Sequence, residues 1–433
     1  MKKLILVLCG NLFSFFIIFG QTPDFKINSY DINADFAGQT GTVGVSLVCN
    51  IEVNKISKDM QFIFGSNAEI KSISILKDGI SEEVPFRING KDSLLLAPGE
   101  SLKPGKKYSL KFDYDFPTGT FNDTVLILDR GHRWYPLVMD QVVPFKISCK
   151  TPHRYNVLSD GNLTGIIIDS ENTEYIWESK FPVFKVQLMI LNSGVFKRSS
   201  VGKCDLYYTG IDSLQSKKIL DETLKILNYY ENNFGNYPYK KLTLCSVTDF
   251  PGIDTGSGLL MIGSQSLEYL TKGYFNMLIL TISQQWFGAG VFAKYGGTGF
   301  SFFTISLPNY LELMYLQNEL GEDDYNKQLQ QLTENYKDVA GTEKDMPVID
   351  VDFPNTREKA KILYAKGPII LSMVEKEMGR EKWLSMFKDL CSTFRGNILT
   401  YADFKKYISK YDGSGRTLTL FDNLTTGKGL PKE

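Results

Sequence analysis

Asp254-Thr255-Gly256-Ser257, preceded by the apolar Ile253, spells the signature of hydrolysis by paired aspartates. In that chemistry two carboxylates share one proton, and this chain has no second Asp-Thr-Gly or Asp-Ser-Gly. A single copy works only by pairing across a homodimer. The structural alternative is a glycine-rich loop held by turn bonds from Asp254. The only histidines are His132 and His153, both far along the chain from this stretch, and nothing in the sequence pairs them with carboxylates. Ser-His-Asp or Cys-His catalysis therefore has little to build on.

Metal chemistry meets a sharper obstacle. The apolar run from Phe275 to Gly288 ends in Gln285-Trp286-Phe287-Gly288 and reads as a buried helix. No Asp, Glu, His or Cys occurs from Tyr269 through Leu311, so this whole stretch lacks the side chains that bind a hard or borderline cation. Cys49, Cys149, Cys204, Cys245 and Cys391 are scattered singly, without a Cys-x-x-Cys pair. They read as small buried hydrophobes rather than a disulfide framework.

The elements that must position these residues fall into two textures. From Gln21 to Ser199 the period is two: Val43, Val45, Leu47, Cys49, Ile51 and Val53 alternate with other residues, as do Tyr108, Leu110, Phe112, Tyr114 and Phe116. Pro98-Gly99 and Pro104-Gly105 punctuate the runs as turns. This predicts an antiparallel β domain with one wetted face. Beyond Ser200, after a strand at Cys204 to Tyr208, helical spacing takes over in 214–233, with further helices predicted over 326–338, 381–394 and 401–411.

Several segments, in order, resemble the membrane alanyl aminopeptidase family of zinc metallopeptidases, the gluzincins. Arg133-Trp134-Tyr135-Pro136 and Asp160-Gly161 are similar to its amino-terminal domain, and Phe234-Gly235-Asn236-Tyr237-Pro238-Tyr239 to its entry into the catalytic domain. Gln285-Trp286-Phe287-Gly288 matches the end of the family's His-Glu-x-x-His-Gln-Trp-Phe-Gly helix, and Tyr364-Ala365-Lys366-Gly367 its Tyr-x-Lys-Gly helix start. The resemblance runs from about Gln21 to Pro431.

In that helix two histidines four apart grip zinc, and the glutamate beside the first deprotonates the bound water. The match puts Leu280 and Gln284 at the histidines and Thr281 at the glutamate. The third ligand, a glutamate further on, falls at Phe303, or at Ile305 when the later Tyr310-Leu311-Glu312 sets the register. The family's amine-holding Glu-Asn pair falls at Thr255 and Gly256. Tyr364 is the one catalytic counterpart retained, matching the tyrosine that stabilises the oxyanion.

The resemblance implies an α+β multidomain fold: an amino-terminal antiparallel β saddle domain over residues 21–199 and a thermolysin-like α/β domain over 200–433. The replaced positions imply no zinc and no working peptidase site, while the retained scaffold implies an interdomain cleft able to take a peptide or protein ligand by edge pairing and apolar pockets, with Thr255, Gly256 and Tyr364 as its substrate-binding positions. The alternatives are a zinc-independent hydrolase using Asp254 and Tyr364, a peptidase whose metal ligands come from elsewhere in the chain, or a structural partner of an active homologue.

Composition adds limits. Lys plus Arg is 48 against 49 Asp plus Glu, without a dense basic block, which points away from nucleic acid and anionic membranes. Met1-Lys2-Lys3 and the apolar run to Gly20 read as a signal peptide over residues 1–20, hence export to a periplasm or beyond, without stable membrane insertion after cleavage; the alternative is an uncleaved anchor, against which Asn11 and Ser14 interrupt the run.

Overall fold

A computed structural model describes residues 24–429, except 39–40, 57, 78, 100–101, 119–123, 249 and 251. The signal-type segment lies outside the described residues. The chain forms a multidomain α+β fold, with sheets in the amino-terminal part and mostly helices after it.

Eight strands build the main sheet: β1 (Phe25–Asp35), β2 (Thr42–Val53), β3 (Glu69–Lys77), β4 (Ile80–Glu83), β5 (Lys107–Pro117), β6 (Val143–Pro152), β7 (Asn162–Ile168) and β8 (Asn172–Val183). Their spatial order is β7-β8-β6-β1-β2-β5-β3-β4. The alternation read in β2 is realised residue for residue, its apolar set inward and the residues between half-exposed. One correction concerns direction: β1 pairs with β6 in parallel, Ile32 opposite Ile147, so the sheet is mixed. Alternation along one strand reports which face is buried, not which way the neighbour runs.

A five-stranded sheet follows: β9 (Lys197–Val201), β10 (Cys204–Tyr208), β11 (Leu242–Val247), β12 (Ile253–Thr255) and β13 (Leu259–Gly263), in the order β9-β10-β11-β13-β12. Strands β10, β11 and β13 run parallel and read as continuous apolar runs, as strands covered on both faces must. The short β12 is antiparallel to β13 and forms an edge. Helix α1 (Ser213–Phe234) begins with a reciprocal cap between Asp212 and Gln215 and buries Ile219, Leu220, Ile226, Leu227 and Tyr230. Cys49, Cys149, Cys204, Cys245 and Cys391 lie buried and unbridged.

Two helix readings change. The run 275–288 is not one helix: α2 spans Asn276–Ser283 only. Gln285 to Gly288 turn away, with Ala289 N–H bonding Gln284 O at 2.7 Å and Gly288 at φ 141°. Nor does Tyr364-Ala365-Lys366-Gly367 start a helix. It sits inside one that begins at Arg357, widens into a π-helical turn at Ile362–Lys366, and continues as Gly367–Met378.

Candidate functional site

Leu280 and Gln284 lie one turn apart at the end of α2, both half-buried. The spacing places them on one face, as metal binding would require, but that face carries an aliphatic chain and a neutral amide. Thr281 is buried, and its hydroxyl donates to Met277 O at 2.5 Å, inside its own helix. An alcohol spent this way has no proton-accepting role near neutral pH.

The edge strand β12 runs beside α2 and brings two expected site residues together. The Thr255 hydroxyl donates to Gln284 Oε1 at 2.6 Å. The turn after α2 is held to the loop following β12 by Gln285, which is 1% exposed. Its amide Nε2 donates to Gly256 O at 2.8 Å, and its Oε1 accepts from Gly258 N–H at 3.0 Å and from the Tyr237 hydroxyl at 3.3 Å. Trp286 Nε1 donates to Gly235 O at 2.9 Å. Thus Gln285 and Trp286, with the Tyr237 region, staple three segments. Those positions have a packing reason independent of catalysis.

The third-ligand alternatives share a second π-helical turn, Phe302–Ser306, which runs into helix α3 (Leu307–Leu320). Phe303 is 5% exposed and packs edge-on to Phe404 at 5.3 Å, so it points into the aromatic core. Ile305 is half-buried. The π turn carrying Tyr364 packs on this one: Ser306 Oγ donates to Leu363 O at 2.7 Å, and Gly367 sits so near Ser306 that a Cβ would meet its Oγ at 2.1 Å. Isolated π turns carry an energetic cost and recur at functional sites. Nothing in the residue pattern announced them. Tyr364 is half-buried, while Lys366 is buried and donates to Gly427 O at 2.8 Å, tying the C-terminal end to this helix. Among the described residues, no three His, Cys, Asp or Glu side chains converge so that they could hold a metal.

The charged chemistry lies next door, in the seam between the two sheets. Asp254 is in strand β12, not a turn: its Oδ2 takes an ion pair from Lys185 and a hydrogen bond from Gln187 Nε2 at 3.1 Å. The turn-bonded loop is thereby corrected: the direct partner of the signature aspartate is a cation, while Gln187 also joins it to the nearby Asp160 carboxyl. Asp160 is fully buried and accepts from Gln187 N–H at 2.7 Å and Ser257 N–H at 2.5 Å. Burial outweighs Lys185 and these donors, pushing its carboxyl up to about 7. Gly256 fits only because it has no Cβ, which would lie 2.3 Å from Gln187 Oε1 and 2.4 Å from Asp160 Oδ1. Sequence reading named Asp160-Gly161 only as part of a resemblance and missed Lys185 and Gln187. No local pattern marks these residues, because their partners lie far along the chain.

The histidines also need one correction. His132 Nδ1 lies 2.8 Å from Asp129 Oδ1, a carboxylate pairing not foreseen, in the capping of a short 3-10 turn. His153 pairs with Thr173 Oγ1 at 2.9 Å.

Comparison with solved structures identifies the architecture. The crystal structure of an M1 zinc metallopeptidase from Deinococcus radiodurans aligns with a TM-score of 0.74 at 12% identity, over 95% of this chain and 96% of that one. A single-residue variant of that enzyme bound to a Tyr-Ser-Ala substrate aligns with a TM-score of 0.75 at 12% identity, over 94% and 96%. No family model matches the sequence, and no curated protein matches it. At this identity the likeness establishes the two-part fold, and the chemistry must be read from this chain's own side chains.

Proposed function

We propose that this chain is an exported peptidase-fold protein that has lost zinc binding and peptide hydrolysis and keeps a cleft for a peptide or protein segment along the edge of β12. The observation that carries this reading is the bond from the Thr255 hydroxyl to Gln284 Oε1. The resemblance assigns one of these positions to the substrate's amino group and the other to the metal, and here they are spent on each other. Leu280, Phe303 and Ile305 add no donor atoms, and Thr281 is occupied by Met277 O. An edge strand still offers unpaired backbone groups to an extended ligand without a metal.

The test is zinc stoichiometry of the purified protein by elemental mass spectrometry, before and after loading with zinc, followed by a peptide array on the same preparation. The expected result is near-zero zinc in both states and selective binding of extended peptides. About one zinc per chain after loading would overturn the loss of the metal site. Turnover abolished by Asp254→Asn or Tyr364→Phe would replace this reading with a zinc-independent hydrolase. An array with no selective binder would remove the cleft from the proposal and leave a structural subunit.

A further inference from the structure

The two edges of the eight-stranded sheet are treated differently. The β4 edge carries Glu82 and Glu83, charges of the kind that keep strand edges from pairing. The β7 edge carries none: Asn162 to Ile168 reads NLTGIII, without charge or proline. Its apolar side chains stand in water, with Leu163 37%, Ile166 52%, Ile167 54% and Ile168 70% exposed. Among the described residues no strand pairs beyond this edge, and a row of exposed isoleucines there is a template for a further strand.

Backbone geometry shows which groups are free to pair. Asp169 N–H donates to Asn172 O at 3.0 Å, closing the turn to β8. In an antiparallel ladder successive residues direct their backbone groups alternately to the two sides. Counting back, Ile167 faces β8, while Ile166 and Ile168 direct N–H and C=O outward. The register of β7 on β8 is regular from Gly165 to Ile168, so the alternation holds there.

We infer that β7 is the interface for a second copy of this chain, paired antiparallel about a two-fold axis at Ile167, so that two eight-stranded sheets join. In this arrangement Ile166 of each copy lies opposite Ile168 of the other, and each such pair exchanges two N–H···O bonds. Ile167 lies opposite itself, in the closer non-bonded spacing where side chains touch most. The strand is self-complementary in charge as well. Its paired residues are neutral, and the flanking Asp169, which falls opposite Gly165, is already paired with Lys150 at 3.0 Å. No like charges meet across the axis, as isologous contact requires.

The paired segment is short of the roughly 1,200 Å² of a standard interface, so the dimer is weak, with a dissociation constant on the order of tens of micromolar. Sedimentation equilibrium from about 1 µM to about 500 µM, a range bracketing that constant, tests it. The expected result is a monomer–dimer equilibrium whose constant rises at least about tenfold in Ile167→Lys. Ile168→Pro, which removes an outward N–H without breaking the β8 ladder, has the same expected effect. Amide exchange on the unaltered protein adds a control independent of variant folding: Ile166 and Ile168 gain protection with concentration, whereas Ile167 does not. A monomer at every concentration, a dimer indifferent to both substitutions, or a complex formed only with a different protein would overturn the inference.

Discussion

The face of α2 and the seam beside it are joined through β12, yet they follow opposite rules. On α2, positions that metal chemistry would fill with histidine and glutamate hold Leu280, half-buried and aliphatic, and Thr281 and Gln284, each engaged in a short hydrogen bond. In the seam, Asp160, Lys185 and Gln187, from the connections just before β7 and just after β8, bring ionisable and amide groups to Asp254 in β12. The contrast teaches that, of these two neighbouring regions, the ionisable groups belong to the place where distant segments meet and not to the helix face. A charge retained inside must have partners, and the seam supplies them.

The hardest blow to that contrast is Asp160→Ala. It would leave the Gln187 and Ser257 N–H groups without acceptors, at about 1–3 kcal/mol each. Chemical denaturation should show a loss of about 3 kcal/mol. A loss under about 0.5 kcal/mol, the range of ordinary surface substitutions, would mean that the seam does not hold the domains.

Acidity sharpens the same point. Burial raises the Asp160 carboxyl from 3.8 to about 7 in the folded protein. Its contribution is therefore fully present below the unfolded value and is lost as pH rises through about 7, because the folded state holds the extra proton in between. Glu312, raised by burial to about 7, adds the same sign. The denaturation midpoint of Asp160→Asn should fall less steeply between pH 4 and pH 7 than that of the unaltered protein. Parallel curves would assign the slope elsewhere.

The smallest expected effect lies on α2. A double-mutant cycle of Thr255→Val and Gln284→Ala should give a coupling of about 1 kcal/mol, the worth of one partly exposed hydrogen bond. A coupling several times larger would show that these residues belong to the seam network, and the contrast between the two regions would dissolve.

Much of this was legible in the residues. The period-two runs became β2 and β5, and helical spacing located α1 and the later helices Arg380–Thr393 and Tyr401–Tyr411. These patterns survive because burial of a face is a local demand repeated along an element. The end of α2 at Ser283 was not legible: apolar residues continue past it, and the chain turns because Gln285 and Trp286 find partners in Gly256, Gly258 and Gly235. The π turns at Phe303 and Tyr364 arise where two helices close on each other at Ser306 and Gly367.

By itself, the sequence determined that 269–311 contains no metal-ligating acid, histidine or cysteine, and that an alternating β region precedes a helical one. Those are properties of residue type and period, which no folding can alter. Only the tertiary structure decided that Asp254 meets Lys185, that Thr255 meets Gln284, and that β7 is left as an open edge. Each depends on segments distant in the chain arriving at one place, or on no described segment arriving there, and neither outcome is written in the local order of residues.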